Sequence, residues 1–385
     1  MLRLLALTAQ ATLILLAAYN AITALWGWPN RKPAAVGPRR RLVRVVIPAH
    51  NEEKVISNLL TDLSEMTYPS DRLEVWVVAD RCTDATAQVS EDLGARVAER
   101  SSGSSGKGSA LAWFLGTHPL ADEEILIIFD ADNRVASDVI GRIVDEVDDG
   151  HEVVQCYLDI VDRDVSAIAE ASALSYWAGN RMVQLARSNL GWSADLGGTG
   201  MAFSAEALAL AGGFSDSLTE DQELGIRLVL QGERVEWLHD VRVRDEKPAS
   251  VGVTVRQRAR WMSGKREARK KHLRALIGRA TPTSLDQAVR LVQPGRSFVA
   301  LLSGLLTIAA VITGSTWLLS WQVWAVATAV QVLEPIPFLA KEGVGAKRLL
   351  KYPLLILVAA LWIPVRLVSR RVTGWYHTPH EGPTP

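Results

Sequence analysis

Cysteine is almost absent from this chain of 385 residues: Cys82 and Cys156 are the only two. Two thiols cannot build the disulfide framework of a secreted scaffold, and their scarcity fits a reducing compartment. Net charge is missing as well. The 42 basic and 42 acidic side chains cancel, so the chain lacks the overall positive field that draws proteins to nucleic acid, and no nucleic-acid partner is expected. Charge is missing altogether from Leu4 to Trp28, a stretch long enough for a bilayer core that takes about 20 apolar residues. A phosphate-cradling P-loop is missing too. In the loop Ser101 to Gly108, only two residues separate Gly103 from Gly106-Lys107, where that motif needs about four.

What is present is an apolar share of 48% beside a charged share of 22%, segregated toward the two ends. The stretch from Leu4 to Trp28 reads as a retained anchor. A signal peptide is disfavoured because Arg3 is its whole basic flank, the run is too long, and no small-x-small cleavage site leads into polar sequence. Arg31, Lys32, Arg39, Arg40, Arg41 and Arg44 follow, and a basic flank of this kind places the next domain in the cytoplasm. Near the other end, Phe298 to Leu319 and Trp321 to Ala340 have spanning length and meet at a turn near Ser315 to Ser320. Lys341, Lys347, Arg348 and Lys351 then read as cytoplasmic again. Tyr352 to Val365, followed by Arg366, Arg370 and Arg371, is short for a span and reads as a re-entrant or interfacial helix. The expected organisation is an anchor (1–28), a basic linker (29–41), a catalytic domain (42–275), an interfacial connector (276–297), a transmembrane hairpin (298–340) and a C-terminal interfacial helix with a cytoplasmic tail (341–385). The expected location is the cell membrane, multi-pass, with the catalytic domain cytoplasmic.

Between the apolar ends, short runs of branched and aromatic residues alternate with helical periodicity. Strands are expected at Val43 to Ala49, Glu74 to Asp80, Ala95 to Glu99, Ile125 to Phe129, Glu152 to Tyr157 and Arg234 to Val243. Ile125 to Phe129 is apolar throughout, as in a strand covered on both faces. This alternation predicts an α/β domain with a mostly parallel sheet and helices on both faces. One long helix is expected from Val165 to Leu185.

Asp130-Ala131-Asp132 closes the most apolar strand, at the sheet edge where open α/β proteins bind ligands. Two carboxylates there can share Mg²⁺ or Mn²⁺ with a substrate diphosphate, or form a solvated turn with a helix cap at Asp132 or Asn133. Asp80 ends a second strand. Lys107, at a loop-to-helix entrance, can meet a phosphate beside free amides or be an ordinary surface lysine. Gly197-Gly198-Thr199-Gly200 can line a substrate pocket or form a tight turn. Thr219, Glu220 and Asp221 suit a helix start, so capping accounts for all three. Gln257, Arg260 and Trp261 share a helix face. The basic run from Arg256 to Arg274 reads as a solvated helix or one set near anionic headgroups or a diphosphate.

Asp80, Asp130-x-Asp132, Thr219-Glu220-Asp221 and Gln257-x-x-Arg260-Trp261 occur in that order, and over residues 42 to 275 the set resembles the membrane-embedded family 2 glycosyltransferases. That group includes cellulose, hyaluronan and poly-N-acetylglucosamine synthases and ceramide glucosyltransferase. The resemblance implies a GT-A fold with a nucleotide-sugar donor. Asp80 and the Asn51-Glu52 loop would meet the nucleoside, with Lys107 and Asp130 also on the nucleotide. Asp130 and Asp132 would hold the diphosphate with Mg²⁺ or Mn²⁺. Asp221 would be the general base; Gln257, Arg260 and Trp261 would hold the diphosphate and acceptor end, beside Gly198, Thr199 and Glu220.

The chemistry matches those residue types. Expelling a nucleoside diphosphate builds negative charge that a cation and an arginine stabilise, and the attacking hydroxyl loses its proton to a carboxylate. One base without a protein nucleophile implies a single displacement and inversion. The expected activity is metal-dependent transfer from a UDP sugar to a growing β-linked polysaccharide, with an export partner protein. Three spans are fewer than secreting synthases usually have, so transfer of one sugar to a membrane lipid is the alternative; a non-catalytic nucleotide-binding scaffold is a further one. The tail Trp375-Tyr376-His377-Thr378-Pro379 resembles the cytoplasmic tail of relatives, and His377 and His380 read as surface histidines.

Overall fold

The computed structural model describes residues 1–160, 166–245, 250–372 and 374. The tail from Trp375 onward, with His377 and His380, lies outside the described residues. Among the described residues, the region between the apolar ends holds eight strands: β1 (Leu42–Ala49), β2 (Leu73–Asp80), β3 (Arg96–Arg100), β4 (Glu124–Ile128), β5 (Arg134–Val135), β6 (Val153–Ile160), β7 (Met201–Ser204) and β8 (Glu236–Asp245). They form one sheet in the order β3-β2-β1-β4-β7-β6-β8-β5. All five residues of β4 are buried, and its side chains alternate between two cores. Leu126 and Ile128 join Val46 of β1 in one core; Ile125 and Ile127 join Val45 and Ile47 in the other. Each fully buried aliphatic side chain contributes roughly 1.5–3 kcal/mol, so β4 is anchored on both faces of the sheet.

Helices cover both faces. On one face lie α2 (Ile56–Ser64) and α5 (Val139–Asp148), the latter burying Ile140, Ile143, Val144 and Val147 at helical spacing. The helix α3 (Thr86–Asp92) connects β2 to β3. On the other face, α4 (Lys107–Thr117), α6 (Ala167–Gly179) and α9 (Glu220–Gln231) contribute Phe114, Leu174 and Leu224 to the core. The long helix expected from Val165 is a composite: α6, a wider π-helical stretch from Asn180 to Leu185, and α7 (Ala186–Asn189). Widened turns of this kind gather at functional sites, and Asn180 here donates to the Leu158 carbonyl at 2.8 Å.

The sheet is mostly parallel, as its alternation leads one to expect, with antiparallel pairing confined to β7 and β5. β7 runs antiparallel to both β4 and β6 and separates them, while β6 pairs parallel with β8. β7 has four residues, enters from the glycine loop at 197–200 and passes straight into α8 (Ala205–Leu210). A run that short carries too little periodicity to be read as a strand.

The basic linker is folded onto the domain. Arg31, Arg39 and Arg41 pair with Glu236, Asp145 and Asp148. The long basic helix α10 (Val251–Arg279) leads to α11 (Pro282–Val292), which opens with a Thr281–Ser284 capping box. Among the described residues, three helices are long and apolar enough to cross a membrane: Leu2–Gly27, which contains α1 (Leu2–Ala24); α12 (Arg296–Thr313); and Trp321–Lys341, which comprises α13 (Trp321–Leu333) and α14 (Pro335–Lys341). The second ends six residues before the expected Leu319, where Gly314 takes a left-handed conformation. Gln10 of α1 donates to the Trp317 carbonyl and accepts from the Leu319 amide, each at 2.9 Å, latching the first of these helices to the α12–α13 turn. The chain closes with α15 (Ala346–Leu349), α16 (Leu355–Ala360) and α17 (Trp362–Ser369). The end of α17 is fastened to α10 by an Arg266–Ser369 hydrogen bond of 2.9 Å.

Candidate active site

β1, β2 and β4 are parallel and in register, so the loops that follow them open on one edge. They enclose a cavity of about 210 Å³. His50, Glu52 and Asp80 line it from β1 and β2; Lys107, Asp130 and Asp132 line it from α4 and the end of β4. Gly198 and Thr199 close one wall, and Glu220, Asp221, Gln257, Arg260 and Trp261 close the other. Asn51 stands outside this lining. Its backbone is left-handed (φ 58°), and its carboxamide oxygen accepts from the Thr83 amide at 2.7 Å, so it fastens the β1 loop to the β2 loop.

Asp80 is buried between two guanidiniums, accepting from Arg100 at 2.9 Å and Arg81 at 2.7 Å. The turn at Asp130 is organised by Asn133, whose side-chain oxygen accepts the Asp130 amide at 3.0 Å; the same amide also approaches the Thr199 hydroxyl at 3.0 Å. Asp132 accepts from the Asn133 amide group at 3.3 Å. The following helix begins only at Val139, with Asp138 in the capping position, so neither Asp132 nor Asn133 caps it. Lys107 pairs with Asp130 and donates to the Gly198 carbonyl at 2.7 Å.

The Thr219 hydroxyl makes no capping bond to α9 and finds no partner although buried. A side-chain cap therefore does not account for Thr219, while Glu220 and Asp221 do stand in the first turn of α9. Burial, then the neighbouring Asp221 charge, push the Glu220 carboxyl up to about 7, against the pull of Lys107 and Arg260. Burial also raises Asp221, while the Gln222 amide, donating at 2.7 Å, and the same two cations oppose the rise. Arg260 donates to the Leu218 carbonyl at 2.9 Å and so ties α10 to the turn before α9.

Two glycines that motif reading passes over make this turn possible. A Cβ on Gly108 of α4 would lie 1.9 Å from the Ser215 carbonyl oxygen, and one on Gly264 of α10 would lie 2.4 Å from the Thr219 hydroxyl. Both helices reach the triplet only because those side chains are absent. Gly264 lies seven residues after Gln257, two turns along the same face, and a glycine inside a helical pattern is the trace such a contact leaves in sequence. Gln155, also overlooked, holds the glycine loop by donating to the Thr199 carbonyl at 2.8 Å and accepting from the Gly197 amide at 2.8 Å.

A second cavity, about 1260 Å³, lies behind the first. Thr219, Asp221 and Trp261 line both, so the Asp221 carboxylate stands on the shared wall. The larger cavity runs along α10 to Phe298 at the start of α12 and to Trp362 on α17.

No three His, Cys, Asp or Glu side chains converge as metal ligands among the described residues. The protein alone therefore does not complete a coordination shell. Asp130 and Asp132, both facing the small cavity, fit the kind of site in which one or two carboxylates share a hard cation with substrate phosphates.

A mixed sheet covered on both faces, with an acid-lined cavity at its strand ends, is the architecture of the GT-A glycosyltransferases, and the known proteins that this chain resembles agree with it. The profile of glycosyltransferase like family 2 matches residues 38–264, more than half of the sequence, and the chain belongs to that family. A β-monoglucosyldiacylglycerol synthase from a Nostoc species is 28% identical over 266 residues, which are 64% of this chain and 53% of that enzyme. A probable glucomannan 4-β-mannosyltransferase from Arabidopsis thaliana is 27% identical over 235 residues, 58% of this chain and 42% of that protein. The chain thus spans about half the length of the curated relatives it matches. A mannosyltransferase from Pyrobaculum calidifontis, solved with GDP-Man and Mn²⁺, shares the fold with a TM-score of 0.63 at 22% identity, over 96% of this chain and 99% of that one.

Proposed function

We propose that this chain transfers a sugar, with inversion, from a nucleotide sugar to a lipid acceptor at the membrane. The observation that carries the reading is the position of Asp221 on the wall between two cavities, one edged by carboxylates and Lys107, the other reaching an apolar helix. In this reading the nucleoside lies along His50, Glu52 and Asp80, with a UDP sugar as the favoured donor. Asp130 and Asp132 hold Mg²⁺ or Mn²⁺, which when bound neutralises charge on the leaving diphosphate. Arg260 and Lys107 add fixed positive charge on either side. Asp221 accepts the proton of the attacking hydroxyl, and burial, by raising its affinity for that proton, suits it to the task. Trp261 offers an apolar face to a sugar ring, and Gln257 orients the diphosphate end.

A lipid acceptor is favoured over a growing polysaccharide because the larger cavity leads to Phe298 at the start of the apolar helix α12, with Trp362 of α17 beside it. The basic flanks at Arg31 to Arg41 and Lys341 to Lys351 support a cytoplasmic catalytic domain. The deciding experiment is product analysis. Full-length protein in phospholipid nanodiscs is incubated with individual UDP sugars and GDP-mannose in the presence of Mn²⁺. One lipid-linked sugar is expected; a polymer ladder would favour the polysaccharide reading, and bound nucleotide without product the scaffold.

A further inference from the structure

The larger cavity has an electrostatic character that transfer to a neutral lipid does not explain. Six cationic side chains line it: Arg258, Lys265, Arg266 and Arg269 from α10, and Arg366 and Arg370 from α17. None of the six forms an ion pair with a carboxylate of the described residues, although arginines elsewhere do so regularly, as at Arg39, Arg44, Arg100, Arg181 and Arg290. The carboxylates facing this cavity are Asp195 and Asp221. Asp195 is paired with Arg290, and Asp221 stands at the inner wall.

Arg258, Lys265 and Arg266 are half-buried, whereas Arg269, Arg366 and Arg370 are exposed; holding the half-buried cations without a carboxylate partner is costly, and the cost is recovered when an anion enters. Burial pulls both Arg258 and Lys265 down in basicity, against the pull of Tyr176 on the first and Asp195 on the second. At the outer end the character changes. Phe298 stacks on Trp362 with ring centroids 4.0 Å apart, and Leu361 and Val365 flank them. Arg366 lies over the Trp362 ring, 5.1 Å from its centroid, so cations and the aromatic pair adjoin in one cavity whose wall also holds Asp221.

We infer that this cavity binds an anionic phospholipid whose headgroup carries a hydroxyl, and that this lipid is the acceptor. Its phosphate meets the arginines, which suit phosphate oxygens geometrically, and its acyl chains leave past Phe298 and Trp362. The headgroup hydroxyl then forms the bond to the anomeric carbon, the nucleoside diphosphate leaves with the bonding electron pair, and Asp221 takes the proton. The inference rests on the transferase reading above.

The test is equilibrium binding to the full chain in neutral detergent, using dioctanoyl-phosphatidylglycerol, dioctanoylglycerol and free glycerol phosphate as probes. The anionic lipid should bind about tenfold or more tightly than the neutral one, and Arg258→Gln with Arg269→Gln should erase most of that preference. Arg366→Gln with Arg370→Gln, on a separate helix, carries the same test if the first pair unfolds. Equal affinity for the neutral lipid, or a preference untouched in a folded variant, would overturn the inference. Competition by glycerol phosphate at equal concentration would make this a site for a soluble anion and defeat the lipid assignment. Binding of UDP and of GDP with Mn²⁺ is measured on the same samples. Binding of either without lipid preference sinks this inference alone, whereas the absence of both UDP and GDP binding in the wild type sinks the transferase reading.

Discussion

Lys107, at the first turn of α4, pairs its ammonium with the Asp130 carboxylate at the end of the central strand. Burial opposes the charge, but Asp130, Glu220 and Asp221 together outweigh it and keep the lysine above its ordinary value. The cation therefore opposes the rise that burial imposes on Glu220 and Asp221. In Lys107→Met, of the two cations only Arg260 is left to oppose that rise, which raises the proton affinity of Asp221. The acid limb of the pH–rate profile should move to higher pH and the melting temperature should fall, with Lys107→Arg restoring part of both. An unchanged acid limb in the Met variant would rule out this coupling.

The wall shared by the two cavities gives Asp221 a role separable from donor binding. Asp221→Asn preserves shape and should leave nucleotide affinity near wild type while lowering kcat by about 10²–10⁴-fold, the usual worth of a general base. Asp130→Ala with Asp132→Ala should do the reverse first, removing the Mn²⁺-dependent part of UDP binding in calorimetric titration. Mn²⁺-stimulated binding that survives both alanines would place the metal elsewhere.

The strands were legible in sequence where a run was long and apolar enough to be covered on both faces. β4 shows this: the expected Ile125 to Phe129 and the observed Glu124–Ile128 differ by one residue at each end. β7 was not legible, because four residues between a glycine loop and a helix show no period. The site residues could be named because their chemistry is local to short motifs. Their mutual arrangement was hidden, since it depends on side chains meeting across the chain. The ion pair of Lys107 with Asp130 joins residues 23 apart in sequence, and the close approach of Gly264 to Thr219 depends on a side chain that is absent. The Asn51 carboxamide, expected near the nucleoside, is occupied by the Thr83 amide, a partnership that loop sequence does not reveal.

Glu220 makes stability depend on pH in a known direction. Its folded value of about 7 exceeds its ordinary 4.5 because burial and the Asp221 charge disfavour ionisation. Between those values the folded protein keeps a proton that the unfolded chain has released, so stability is greatest below 4.5 and falls as pH rises toward 7. Melting curves of the full chain in detergent should show this fall, and Glu220→Gln should flatten it and raise the melting temperature above pH 7. Equal slopes in the two proteins would mean that Glu220 is not the group responsible.

The packing of α4 and α10 against the Thr219-Glu220-Asp221 turn makes an ordered prediction for three glycine-to-alanine changes. At Gly108 the new Cβ meets the Ser215 backbone oxygen at 1.9 Å, which can yield only if α4 moves and carries Lys107 with it. At Gly264 it meets the Thr219 side chain at 2.4 Å, and a side chain can rotate at lower cost. Overpacking of this kind costs about 1–3 kcal/mol, so both variants should melt earlier and transfer more slowly, Gly108→Ala more severely. At Gly278, in the last turns of α10, nothing lies within 4 Å of the added atom. There alanine should stabilise by about 0.4–1 kcal/mol, through the lower entropy of the unfolded chain, and leave transfer unchanged. Melting temperatures and initial rates of the three variants check the order. If Gly264→Ala matched Gly278→Ala in both measurements, close contact between α10 and the Thr219 turn would not be needed for transfer.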